Sequence, residues 1–338
     1  MMKVGIVGFG FMGRMHYRCW KARADARVTA ICDANPNIVA DSKKTVGNIS
    51  GAEAVDFSGL GVHQDLGAML AKEKLDAVSI TLPTFVHADM TVQALGAGVH
   101  VLCEKPMALS SADCDRMIAA ARKSGKVLQI GHCVRFWPEY AATKEIVDRG
   151  EYGKVLAASL RRLASPPTWS QDNWLLSEQR SGGVLLDLHI HDTDYVQYLL
   201  GLPKAVSTFG AKASSGILAH AVTRYDYGDG PVVTAEGGWA MAPAFGFEMS
   251  FNLVLEKATI VFDCTRQPAF RICPNQGAVS TPPLAAGDGY VRQIDHFARS
   301  VRGEAVPSVI TLEESRNSVR IVEAERESIR TGRPVPLR

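Results

Sequence analysis

The sequence predicts an α/β domain built on a doubly wound parallel sheet, followed by an α+β domain with a mainly antiparallel, open-faced sheet. Three observations carry this prediction. The first third alternates short, continuous apolar runs with helical stretches, as strands buried on both faces of a parallel sheet do. From Lys154 onward the apolar pattern shifts to period two, the mark of a sheet with one wet face. The 338 residues also exceed the roughly 100–200 of one typical domain. The expected division is a dinucleotide-binding unit at 1–127 and a substrate-binding and oligomerisation unit at 128–338.

Taken in order, the predicted buried strands are Val4–Val7, Val28–Cys32, Ala77–Thr81, His100–Cys103 and Val127–Gly131. Helices are expected over Met12–Ala24, over Val86–Ala97 up to Gly98, and over Ser111–Ser124, with Ser110 or Ser111 as N-cap and Gly125 as stop. Strand–helix alternation of this kind means βαβ units. In the second domain, Phe247, Met249, Phe251 and Leu253 alternate with Glu248, Ser250 and Asn252. Tyr227–Pro231 reads as a hairpin turn between Thr223–Tyr227 and Val232–Gly237. Leu312–Thr331 is an amphipathic helix, expected to pack back toward the first domain. Trp20 and Tyr140 read as core.

Composition narrows the function classes. A formal charge of +2, with basic residues scattered, argues against nucleic acid or an anionic membrane as the main partner. No apolar run approaches the roughly 20 residues of a membrane span. Met1-Met2-Lys3 leads straight into a strand the fold needs, so no signal peptide is expected and the cytoplasm is favoured. Seven dispersed cysteines without a CxxC pair read as reduced thiols, with no disulfide frame or zinc site.

Gly8-Phe9-Gly10-Phe11-Met12-Gly13 matches the GxGxxG pattern. Alone it is weak, but here it follows a buried strand and opens a helix, as dinucleotide binding requires. Gly8 permits the tight turn, Gly10 keeps a side chain away from the pyrophosphate, and Gly13 lets helix and strand pack closely. The helix N-terminus then offers free N–H groups and partial positive charge to the phosphates. Asp33 ends the second strand at the spacing of a ribose-binding carboxylate. Its charge repels a 2′-phosphate and no arginine follows it, so NAD is favoured over NADP.

Two further segments hold polar groups of interest. Glu104-Lys105-Pro106 lies just past a buried strand, at the carboxyl end where such sheets bind ligands. Lys105 could hydrogen-bond a substrate hydroxyl or serve as a surface lysine, and Pro106 suits a cis peptide bond. The second segment begins Gly182-Gly183 and carries Asp187, His189 and His191 on a helix running to Leu200. Asp187 and His191 are i,i+4 and share a face, which suits a histidine general base beside a carboxylate. His189 points elsewhere on the helix, so a His-x-His metal site is disfavoured and no metal is expected.

With these residues in the order they occur, the chain resembles the glucose–fructose oxidoreductase/inositol dehydrogenase (Gfo/Idh/MocA) family over nearly its whole length. The fingerprint, Pro83-Thr84 with His87, Ala94 through Glu104-Lys105-Pro106, the Gly-Gly…Asp…His segment and Glu323 through Val335 all match. The resemblance implies a catalytic set of Lys105, Asp187 and His191 acting on a secondary alcohol or ketone of a sugar, cyclitol or derivative. For the cofactor it implies Gly8, Gly10, Phe11, Met12, Gly13 and Asp33 from the fingerprint. It adds Thr81, Pro83, Thr84, His87, Glu104 and Lys105 from later strand ends. His189 departs from the small residue common in relatives, and Thr84 replaces a frequent asparagine. Arg135, Trp169, Asn173, Trp174 and His189 are substrate-binding candidates, with Trp137, Arg161 and Arg162 in the same loops and strands. In the family the sheet's outer face pairs subunits, so a homodimer or homotetramer is expected. Two other readings stay open: an NAD-retaining enzyme using transient oxidation, and a redox-inactive NAD- and sugar-binding sensor.

Overall fold

The apolar runs form a parallel sheet in the computed structural model, which describes residues 1–41 and 55–337. This first unit comprises Met1–Cys133, Trp169–Asp172 and Tyr290–Arg316. In chain order it holds β1 (Met2–Val7), α1 (Phe11–Lys21), β2 (Ala26–Cys32), α2 (Ile38–Asp41), β3 (Gly61–His63) and α3 (Leu66–Lys72). There follow β4 (Ala77–Ile80), α4 (His87–Gly96), β5 (His100–Glu104), α5 (Ser111–Ser124) and β6 (Leu128–Gly131). The strands run parallel in the order β3-β2-β1-β4-β5-β6. Strand order reverses between β1 and β4, the place where such sheets open a ligand crevice at their carboxyl ends.

Local chemistry sets these boundaries. Val4, Ile6, Val78, Ile80, Val101 and Leu102 are wholly buried, as a sheet covered on both faces demands. The Ser110 hydroxyl accepts the Asp113 N–H at 3.2 Å to open α5, and Gly125 at φ +66° closes it in the left-handed region. Strand β3 escaped the sequence reading because three residues at a sheet edge, none fully buried, leave no apolar run.

The second unit comprises Val134–Thr168, Asn173–Gly289 and Asn317–Arg338. It contains α6 (Pro138–Asp148), β7 (Val155–Ala164), α7 (Glu178–Ser181), a π-helical turn over Leu185–His189, and α8 (Ile190–Leu200). Six strands follow: β8 (Ala205–Lys212), β9 (Leu218–Asp226), β10 (Val232–Gly238), β11 (Phe247–Leu255), β12 (Ala258–Asp263) and β13 (Phe270–Pro274). Helices α9 (Gly289–Val301) and α10 (Leu312–Thr331) and strand β14 (Val335–Pro336) end the chain. The eight strands are ordered β13-β12-β11-β7-β10-β9-β8-β14, antiparallel except for β7 and β10. Met249, Phe251, Leu253 and Leu255 face inward, while Asn252 and Val254 are exposed. Phe247, expected inside, is instead exposed at the strand's first position.

Two parts of the expected domain division change. The first unit extends to Cys133, so β6 belongs to it, contrary to a boundary after residue 127. The helix that returns to the first unit is α9: Ile294, Phe297 and Ala298 join a core with Val4, Ile6 and Phe9. The Trp20 and Phe297 rings meet edge to face there, 6.1 Å apart. Helix α10 is divided: Leu312–Arg316 belongs to the first unit, where Glu313 pairs with Arg122 and Arg316 with Asp115, and the rest belongs to the second, with Val319, Ile321 and Val322 wholly buried. Among the described residues no helix is long and apolar enough to cross a membrane.

Candidate active site

The fingerprint loop leaves β1 through Gly8 at φ +87°, a conformation glycine adopts without strain. The Thr81 hydroxyl donates to the Gly8 carbonyl at 2.6 Å and so holds this turn at the end of β4. A side chain at Gly13 would sit 2.1 Å from the Gly8 carbonyl oxygen, which explains the third glycine by helix–turn packing. A side chain at Gly10 would meet nothing within 4 Å, so Gly10 is not required for packing within the protein. Helix α1 begins there with no side-chain cap and no acid in its first turn, leaving its N–H groups and dipole open to an anion. Asp33 directly follows β2, and its carboxylate accepts the Phe9 N–H at 2.7 Å and the Asn35 N–H at 2.9 Å. Open space over Gly10, an uncapped helix start and a neighbouring carboxylate fit a dinucleotide.

Near the end of β5, Glu104 and His87 are both held inside the protein. The Glu104 carboxylate is buried, 2.8 Å from the His16 ring Nε2, and accepts the Lys105 N–H at 3.2 Å. Burial acts to raise its pKa, but the His16 hydrogen bond and the charges of His16 and Lys105 hold it below the usual value. Glu104 is thus held between the His16 ring and the Lys105 backbone. The His87 ring is also buried, with Nδ1 2.8 Å from the Pro106 carbonyl and Nε2 2.8 Å from the Leu82 carbonyl. Burial pushes its pKa down, and its two ring nitrogens face backbone carbonyls of two different loops. Thr84 is buried as well, whereas Pro83 and Lys105 are half-buried, and Lys105–Pro106 is cis. Phe11 and Met12 are half-buried at the start of α1. His16 was missed in the sequence because a lone histidine on a helix carries no signal by itself.

In the second unit, Gly182 and Gly183 both have positive φ, +80° and +67°. A side chain on Gly182 would strike Leu186 at 2.5 Å, so the chain enters the helix where only glycine fits. A π-turn rather than plain α-helix carries Asp187, a local geometry that recurs at functional sites. Asp187 and His191 are half-buried, while His189, Asp192, Thr193 and Asp194 are buried beneath them. Buried charges persist only when paired. Accordingly Arg135 grips Asp194 through two hydrogen bonds of 2.8 Å, and Arg162 grips Asp192 through two of 3.0 Å.

Burial corrects two substrate-binding expectations, those for Arg135 and His189, and shows that Arg162 is also inside the protein. Arg135 and Arg162, 1% and 3% exposed, anchor α8 instead of facing a ligand. His189 is wholly buried and bonded within the protein. Trp169, in the first unit, is 39% exposed and packs against the Phe11 ring at 5.6 Å. Asn173 is exposed with φ +49°, a left-handed conformation that asparagine tolerates better than most residues, and Trp174 is half-buried. Arg161 lies on the sheet's outer face, paired with Glu236 and Glu248. Among the described residues no three His, Cys, Asp or Glu side chains are grouped to hold a metal ion.

A doubly wound sheet, a glycine turn and an open helix start define a dinucleotide-binding architecture. Residues 2–132 match the family model described as "Oxidoreductase family, NAD-binding Rossmann fold", and residues 140–261 match the "GFO/IDH/MocA C-terminal domain". The chain belongs to the Gfo/Idh/MocA oxidoreductase family and its cofactor is NAD. It is 26% identical to myo-inositol 2-dehydrogenase of Thermotoga maritima, over 99% of this chain and 98% of that protein. It is 31% identical to 2,7-anhydro-N-acetylneuraminate hydratase of Mediterraneibacter gnavus, over 62% of this chain but only 52% of the hydratase. The structure of GenD2 from gentamicin A biosynthesis, in complex with NAD, shares the fold. It superposes with TM-score 0.83 and 24% identity, over 100% of this chain and 96% of that one.

Proposed function

We propose that this protein is an NAD-dependent dehydrogenase acting on a secondary alcohol, or the corresponding ketone, of a sugar, cyclitol or sugar derivative. The observation that carries the reading is that Asp187 and His191 stay half-buried at the start of a helix whose neighbouring acids, Asp192 and Asp194, are tied up in buried ion pairs. His191 takes the hydroxyl proton as general base, a role suited to an imidazole near neutral pH. Lys105 hydrogen-bonds the reacting oxygen and stabilises negative charge developing on it. Asp187 binds an adjacent hydroxyl or orients His191. When bound, NAD supplies the hydride acceptor, held by the Gly8–Gly13 turn, the start of α1 and Asp33. Asp33 sets the preference for NAD over NADP, since its carboxylate repels a 2′-phosphate. Trp169, Asn173 and Trp174 remain as substrate contacts.

The test is a panel of sugars, cyclitols and sugar acids incubated with NAD and NADP in parallel, following NADH absorbance. NAD-dependent turnover of a polyol is expected. Strong NADP preference would remove the role given to Asp33, and no turnover of any polyol would remove the substrate class.

The similarity to a hydratase favours one second reading, in which oxidation is transient and NAD is regenerated within each turnover. Product formation without NADH accumulation would select it. We also propose that copies of the chain pair through the sheet's outer face, where Phe209 (75% exposed), Val222 and Val254 are exposed on the same side as the Arg161–Glu236 pair. Light scattering should then report a dimer or tetramer.

A further inference from the structure

His189 lies between Asp187 and His191, yet the proposed reaction does not use it. Its ring is wholly buried, as is the carboxylate of Glu325 on α10. The two approach at 3.4 Å, from His189 Nε2 to Glu325 Oε1. Strand β9 completes the cluster. The His189 Nε2 lies 3.1 Å from the Thr223 hydroxyl, and Tyr225 donates to Glu325 Oε1 at 3.1 Å. Thr193, one turn further along, donates to the same carboxylate oxygen at 3.1 Å. The ring fits because β10 has glycine opposite it: a side chain at Gly237 would lie 2.6 Å from His189 Nδ1.

Three elements therefore converge on one turn of helix, and that turn is the π-turn Leu185–His189. A π-turn carries an extra residue relative to an α-turn and survives where tertiary contacts hold it. If it relaxed to α-helix, residues on its two sides would rotate relative to one another by about 100°, the angle of one helical residue. Asp187, within the turn, and His191, just after it, would then no longer keep their relative direction. Burial works against a charged His189, but Glu325 outweighs it with help from Asp192 and against Arg162, so the ring's pKa is raised. Asp192 and Arg162 are already paired with each other, which leaves Glu325 as the partner specific to His189.

We propose that His189 and Glu325 are positioning residues whose buried contact fixes the turn that carries Asp187 and leads into His191. This rests on the assignment of those two as the reacting pair. The test uses the intact protein with NAD and, as probe, the panel compound that gives the fastest NADH formation. Glu325→Leu should lower kcat about 10- to 100-fold, the cost of a small misplacement of reacting groups. The KM and Kd for NAD should be unchanged, and Glu325→Gln, which keeps the accepting oxygen, should recover most of the loss. Gly237→Ala, which crowds the ring while leaving both partners in place, should lower kcat in the same way and covers a Glu325→Leu chain that fails to fold. A substrate-free measurement runs alongside. Hydrogen exchange across 185–191 should quicken in Glu325→Leu and Gly237→Ala and return toward wild type in Glu325→Gln.

Wild-type kcat and exchange in a folded Glu325→Leu protein would overturn the proposal, as would equal losses in Gln and Leu variants. His191→Ala separates the two ideas. If it abolishes turnover while Glu325→Leu does not, only the positioning role falls. If His191→Ala turns over normally, the reacting pair itself has been misassigned.

Discussion

Two buried histidine–glutamate contacts sit beneath the two sets of candidate reacting residues, and they are built differently. In the first unit, His16 meets Glu104 directly at 2.8 Å, and Glu104 adjoins Lys105 in sequence. In the second, His189 meets Glu325 at 3.4 Å, and the carboxylate is shared with Tyr225 and Thr193. The first is a short contact that steadies one loop through its neighbouring residue. The second is a cluster spread over α8, α10 and β9 that steadies a π-turn. Polar residues deep in a protein can thus serve a site without touching substrate, and their placement tells which residues they serve.

The largest expected effects test whether each contact lies beneath a group that reacts. Lys105→Met and His191→Ala should each lower turnover by about 10²–10⁴-fold, the usual worth of a positioned proton-transfer group. NAD affinity measured by fluorescence titration should survive in both. Near-normal turnover in either variant would leave that unit's buried contact with no reacting residue to serve.

Next comes stability. Glu104→Leu leaves the His16 ring buried without its partner and should cost about 3–5 kcal/mol in urea unfolding, as breaking a buried pair does. His16→Leu with Glu104→Leu together should cost less than the sum of the singles, because neither group is then stranded. Additive losses would show that the two do not act as a pair.

The two contacts should also fail at opposite ends of the pH scale. Glu104 has a lowered pKa in the folded state, so its stabilisation is present above the ordinary carboxylate value and lost as pH falls through the folded one. His189 has a raised pKa, so its contribution is full below the ordinary histidine value and lost as pH rises through the folded one. Unfolding midpoints across pH should show Glu104→Gln flattening the acid limb and His189→Gln flattening the alkaline limb. The reverse assignment would contradict the charges given to both pairs.

Why one contact was half legible in the sequence and the other was not follows from the same difference. Glu104-Lys105-Pro106 follows a continuous apolar strand, so its position at a strand end could be read directly. His16 could not, because its partner lies 88 residues away and a single histidine has no period. Glu325 is further still from His189, 136 residues along the chain, inside a helix whose amphipathic pattern was correctly placed but whose buried acid looked like any helical glutamate. Strand runs and glycine stops, such as Ser111–Ser124 before Gly125, depend on neighbours in sequence and were readable. The π-turn and the Arg135–Asp194 and Arg162–Asp192 pairs depend on tertiary packing, so the sequence marks Arg135 as a ligand candidate and does not show either arginine as a buried anchor.

The smallest expected effect separates glycines kept for the protein from those kept for the ligand. Gly10→Ala should change the unfolding free energy by less than about 1 kcal/mol, since its side chain meets open space, while weakening NAD binding. Gly13→Ala should destabilise the first unit itself, because the new methyl group meets the Gly8 backbone. Unfolding curves and NAD titrations on both variants check this.

The central claim is that hydride passes between a polyol carbon and NAD while His191 manages the proton. It is tested most directly by a single turnover with a polyol deuterated at the reacting carbon. Deuterium should appear in the reduced nicotinamide recovered from the wild-type protein and be absent from His191→Ala within the same time. Deuterium that never leaves the sugar carbon in the wild-type protein, although product forms, would contradict the account.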